Sequence, residues 1–127
     1  MTEILMRSVF EQDKCPVVLC DREHKIVYMN PAAIKRYESR GGEKLVGKSL
    51  LDCHNEKSCE MINRIINWFS ADKANNMIFT SRNDIENKDV YMVALRNESG
   101  ELIGYYEKHE YRTPESSRLY DFSRSLI

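Results

Sequence analysis

The densest group of reactive side chains in this chain is Asp52-Cys53-His54-Asn55-Glu56-Lys57-Ser58-Cys59. Cysteine thiolate and imidazole are good ligands for transition metals and for haem iron. His54 is the first candidate ligand and Cys53 the second. Cys53, His54 and Cys59 could supply three zinc ligands, but their spacing fits no familiar structural zinc pattern. A thiol beside an imidazole also has the parts of an activated nucleophile, although neighbours in sequence rarely point their side chains together. A structural reading stands beside these. Cys53 can be a small buried apolar residue, His54 can bond across a helix start, and Asp52 and Asn55 are turn or cap residues. Ordinary catalysis finds no further support. His24 and His109 lie far from His54 in sequence, and no Gly-x-Ser-x-Gly, His-Glu-x-x-His or phosphate-cradling glycine loop is present. An enzyme is not expected.

The elements that must position these residues can be read from periodicity. Leu5, Met6, Val9 and Phe10 share one face of a helix over 2–12. Pro16-Val17-Val18-Leu19-Cys20 and Lys25-Ile26-Val27-Tyr28-Met29 are strands around the turn Asp21-Arg22-Glu23-His24. Asn30-Pro31-Ala32-Ala33 then opens a helix running to about Tyr37. The asparagine oxygen can cap a free N–H, and proline suits the first helical position. Gly41-Gly42 ends that segment, and Val46-Gly47 marks a turn. Ile62, Ile65, Ile66 and Phe69 form one stripe of a long helix over about 56–70, capped by Asn55. Three strands follow at about 76–82, 89–96 and 101–111, with Asn97-Glu98-Ser99-Gly100 as a hairpin turn. Thr113-Pro114-Glu115 can start a terminal helix carrying Leu119, Phe122 and Leu126, with a frayed tail as the alternative.

Length and charge exclude several function classes. A chain of 127 residues is one domain. Its 19 basic and 20 acidic side chains leave no basic excess to bind nucleic acid. No apolar run approaches the ~18 residues of a membrane span. Met1-Thr2-Glu3-Ile4 lacks the basic and apolar regions of a signal peptide, so a cytoplasmic protein is expected. Cys15, Cys20, Cys53 and Cys59 are then expected as reduced thiols.

Hairpin, Asn30-Pro31, helix, Val46-Gly47, long helix and three strands, in this order, resemble a PAS domain over about residues 13–110. The resemblance implies an α+β fold, with a five-stranded antiparallel sheet, helices over one face, and flanking N- and C-terminal helices. It divides the chain into a flanking helix over 1–12, the PAS domain over 13–111 and a tail or helix over 112–127. It implies a signal-transduction sensor that holds a small ligand or haem between sheet and helices. The candidate lining is Tyr28, Ile34, Tyr37, Leu50 and His54, the helix residues Ile62, Ile65 and Ile66, and the strand residues Phe79, Tyr91 and Val93. A slip of one residue exchanges each strand's set for its neighbours. Haem-sensing members commonly present an iron-ligating histidine from the region of His54. Asp-Cys-His-x-x-x-Ser is also similar to a subgroup with Asp-Cys-His-Pro, but Asn55 replaces the proline here. A photoactive flavin is disfavoured, because the adduct-forming motif Asn-Cys-Arg-Phe-Leu-Gln is absent and Leu50 stands at the position of its cysteine. The implied partners are a second copy, met through the N-terminal helix and the sheet, and a downstream signalling protein. The alternative function is a ligand-free interaction or dimerisation module.

Overall fold

The computed structural model describes residues 1–123. Helix α1 (Thr2–Gln12) leads into strands β1 (Val18–Asp21) and β2 (Ile26–Met29). Helix α2 (Pro31–Arg36) follows, then three short 3-10 turns at Glu38–Arg40, Gly42–Leu45 and Leu50–Cys53. Helix α3 (Glu56–Ala71) crosses to β3 (Met77–Asn83), β4 (Lys88–Arg96) and β5 (Leu102–Tyr111). The five strands form one antiparallel sheet in the order β2-β1-β5-β4-β3. Two N-terminal strands thus join three C-terminal ones, because neither set can bury its apolar face alone.

The junction of β1 with β5 closes the sheet and depends on one residue without a side chain. A Cβ on Gly104 would lie 2.2 Å from the Cys20 carbonyl oxygen. Only glycine permits that backbone approach. The core lies on the face that α3 covers. Ile62, Ile65, Ile66 and Phe69 are all buried there, against Cys20, Met92, Leu102 and Tyr105 of the sheet.

Asn30 does more than cap α2. Its Oδ1 accepts from Ala33 N–H at 2.9 Å and from Val17 N–H at 2.8 Å. Its Nδ2 donates to the carbonyls of Phe10 and Cys15, both at 2.9 Å. One fully buried amide therefore fastens the end of α1, the start of β1 and the start of α2.

The C-terminal helix is a correction. Residues 112–123 form no helix, and Leu119 and Phe122 are 89% and 91% exposed. Leu126 lies outside the described residues. Arg112 donates from its backbone to the Asn87 carbonyl and from Nε to Asp89 Oδ2, both at 2.8 Å, which holds the chain extended beyond β5. An apolar stripe with no surface to cover gives a short helix little reason to form. Among the described residues no helix is long and apolar enough to cross a membrane.

Candidate functional site

Alternation along β5 sends Tyr105, Glu107 and His109 to the face under the helices. Opposite them, the Leu50–Cys53 turn and the start of α3 form a wall. Ser49 Oγ accepts from Leu51 N–H at 3.2 Å and starts the turn. Asn55 Oδ1 accepts from Ser58 N–H at 2.8 Å and starts the helix. Between the two lies a cavity of about 140 Å³. Its apolar lining includes Val18, Ile26, Met29, Leu45, Ile62 and Met92, and Tyr37 and Arg40 complete the helical side.

The cavity gathers Tyr37, Leu50, Cys53, His54 and Ile62 of the expected set. Ile65 and Ile66 are buried beside it in the core, and Ile34 packs against that core; none of the three lines the cavity. The strand residues differ. Tyr28 faces the other side of the sheet, where its ring lies 6.4 Å from Phe10 and under Arg7 at 5.0 Å. Phe79 and Tyr91 pair with each other at 5.4 Å between ring centres. Val93, like Tyr91, flanks Met92, so Met92 takes the inward place. The cause is the continuous apolar run of β4, which carries no alternation to fix its parity. Cys20, Arg40, Tyr105, Glu107 and His109 were not expected in the site. A signal for three of them was present: Tyr105-x-Glu107-x-His109 puts three polar, titratable side chains on one strand face.

The polar groups are arranged in two sets. On the sheet, Tyr105 shares a hydrogen bond with His24 Nδ1 at 2.7 Å, and burial raises its hydroxyl pKa. Burial also pushes the Cys20 thiol up to about 12, which marks it as a neutral core group. His109 Nε2 lies 3.1 Å from Glu107 Oε1, and its buried Nδ1 has no hydrogen-bond partner among the described residues. Burial works to raise the Glu107 pKa. The hydrogen bond from His109 and the positive fields of His109, His54 and Lys88 outweigh it and hold this carboxyl below the usual range. On the helical side, His54 Nδ1 lies 2.9 Å from the Leu50 carbonyl oxygen. A carbonyl only accepts, so Nδ1 carries the proton, and in the neutral ring Nε2 keeps its lone pair.

Cys59 does not join His54 in a metal centre. Its Sγ points to backbone carbonyls, 3.4 Å from Leu51 and 3.7 Å from His54. No group of three histidine, cysteine or carboxylate side chains converges among the described residues. Haem needs only one protein ligand, and the His54 tautomer has the form of a ring oriented for ligation. The space does not match. An open volume of about 140 Å³ is close to the roughly 150 Å³ cavity that holds benzene. A porphyrin does not fit the cavity in this conformation.

A five-stranded antiparallel sheet cupped by helices and short turns over a small, mostly apolar cavity defines an α+β fold. The sequence matches the family model described as PAS fold over residues 10–108. The chain belongs to the PAS family. Solved structures share the architecture at low sequence identity. The PAS domain of Bordetella pertussis BvgS is 16% identical, with a TM-score of 0.62 over 91% of this chain and 89% of that one. A PAS domain from Colwellia psychrerythraea is 12% identical, with a TM-score of 0.64 over 87% and 97%. The Vibrio cholerae Aer2 receptor, described as a dual PAS-heme oxygen sensor, is 21% identical, with a TM-score of 0.53 over 77% and 94%. No curated protein matches the sequence.

Proposed function

We propose that this PAS domain is a signal-transduction sensor whose input is a compact organic ligand held between β5 and the turns before α3. The observation that carries this reading is the cavity, apolar over most of its lining yet holding an ionised carboxylate. Mostly apolar walls with a few placed polar groups are the usual make-up of a small-molecule site. Haem is the second reading, favoured by the His54 tautomer and opposed by the cavity's size. An absorption spectrum of the purified protein, with and without added haem, separates the two. The expected spectrum has no Soret band. A sharp band that shifts or vanishes in His54→Ala would overturn the compact-ligand reading in favour of haem.

We also propose that the sensor works as a homodimer through α1 and the outer sheet face. No residue of α1 is buried, and Leu5 and Val9 are 59% and 67% exposed. Met77, Phe79 and Ile103 leave a second apolar area exposed on β3 and β5. Light scattering is expected to give twice the chain mass for the native protein and the chain mass for Leu5→Glu. A native monomer would rule the dimer out. Ligand binding would then act by shifting a pre-existing equilibrium of the paired domains.

A further inference from the structure

The cavity has one strongly polar feature that its apolar lining does not explain. Glu107 sits on the sheet wall, yet 48% of its side-chain surface remains reachable by solvent because it borders the open space. One carboxylate oxygen is engaged by His109 at 3.1 Å. The other has no hydrogen-bond partner among the described residues. The nearby Tyr105 hydroxyl is already taken by His24. A ligand in this space therefore meets a free anionic acceptor on one side and Ile26, Met29, Leu45, Ile62 and Met92 around the rest.

Charge narrows the class of ligand. The carboxylate is already engaged by His109 at 3.1 Å, and Arg40 and His54 lie on the same lining. An incoming cation gains little there and faces three basic side chains. An incoming anion faces Glu107. A neutral N–H meets neither problem, and a hydrogen bond to a charged acceptor is stronger than one to a neutral acceptor. The open volume admits one ring.

Resting on the ligand-pocket reading above, we infer that the cavity recognises a neutral, single-ring organic molecule presenting an N–H donor to Glu107. The selectivity lies in the carboxylate; the affinity lies in the apolar wall.

Four probes of similar size test this against the full chain, isotopically labelled for NMR titration: aniline, toluene, benzylammonium and benzoate. Aniline is expected to bind the native protein and to weaken about tenfold in Glu107→Gln, which keeps the shape and loses the charge. Toluene is expected to bind both within twofold. Glu107→Asp keeps the charge and is expected to retain part of the aniline preference. Amide spectra that overlay those of the native protein establish that the variants fold. Equal responses of aniline and toluene to Glu107→Gln would overturn the inference and leave the cavity reading standing. Tighter native binding of benzylammonium or benzoate than of aniline would overturn the neutral class. Failure of all four to shift cavity resonances would remove the cavity reading and this inference with it.

Discussion

The two ends of α3 are held in different ways. At its C-terminal end Phe69 is completely buried, and Arg96 from β4 closes the helix. The Arg96 guanidinium donates to the carbonyls of Phe69 at 2.7 Å, Asn75 at 3.0 Å and Asp72 at 3.2 Å. It also reaches Gly100 O at 3.1 Å and Asn76 Oδ1 at 2.7 Å. One side chain therefore joins the helix end, the connection to β3 and the β4–β5 hairpin. The N-terminal end has a single asparagine cap and follows a 3-10 turn with no buried residue. That end borders the cavity through Cys53 and His54. Local opening is easiest where buried contacts are few. The same helix thus offers a fixed anchor at one end and an adjustable cavity wall at the other.

Removing the anchor is expected to give the larger effect. Arg96→Met keeps much of the aliphatic stem and deletes every donor. The carbonyls of Phe69, Asn75 and Gly100 lose a half-buried partner, while the Asp72 carbonyl, whose contact with Arg96 is exposed, keeps the Asn75 N–H. A loss of about 2–3 kcal/mol is expected on that basis. Urea unfolding followed by circular dichroism gives the value directly. A loss below about 0.5 kcal/mol, the level of an ordinary surface change, would mean that the two ends of α3 do not differ in the way described.

The anchor was the less legible end in the sequence. The stripe Ile62, Ile65, Ile66 and Phe69 announces the helix and its buried face, and Asn55 announces its start. Nothing in the local sequence shows that an arginine 25 or more residues downstream closes it. That bond is tertiary, and an arginine at a strand end reads as a solvated charge. The strand parities failed for a related reason. In β4 both faces are apolar, so Tyr91, Met92 and Val93 are indistinguishable by pattern. In β5 the polar residues Glu107 and His109 look like solvent-facing positions, although they face the cavity. Element order, by contrast, rests on turn and cap chemistry that is local. Asn30-Pro31 and Val46-Gly47 act where they stand: Asn30 caps α2, and Gly47 adopts a φ of +94°. The C-terminal stripe of Leu119 and Phe122 shows the limit of periodicity, since spacing alone does not supply a surface to pack against.

The cavity end supplies the smaller and more local effect. Asn55→Ala removes the oxygen that accepts from Ser58 N–H at 2.8 Å. Loss of such a cap costs about 1 kcal/mol. Because the first turn of α3 has few buried contacts, that loss is expected to appear as opening of this turn rather than of the whole domain. Hydrogen exchange should therefore quicken at the Ser58 and Cys59 amides by about fivefold, which is roughly 1 kcal/mol in a local opening equilibrium. Exchange near Phe69, held by burial and by Arg96, should change far less. Equal acceleration at both ends would show that α3 opens as one unit, with no separately adjustable wall. Acceleration confined to the first turn would place the flexible part of the helix beside Cys53 and His54, where a bound ligand could favour one arrangement of that wall over another.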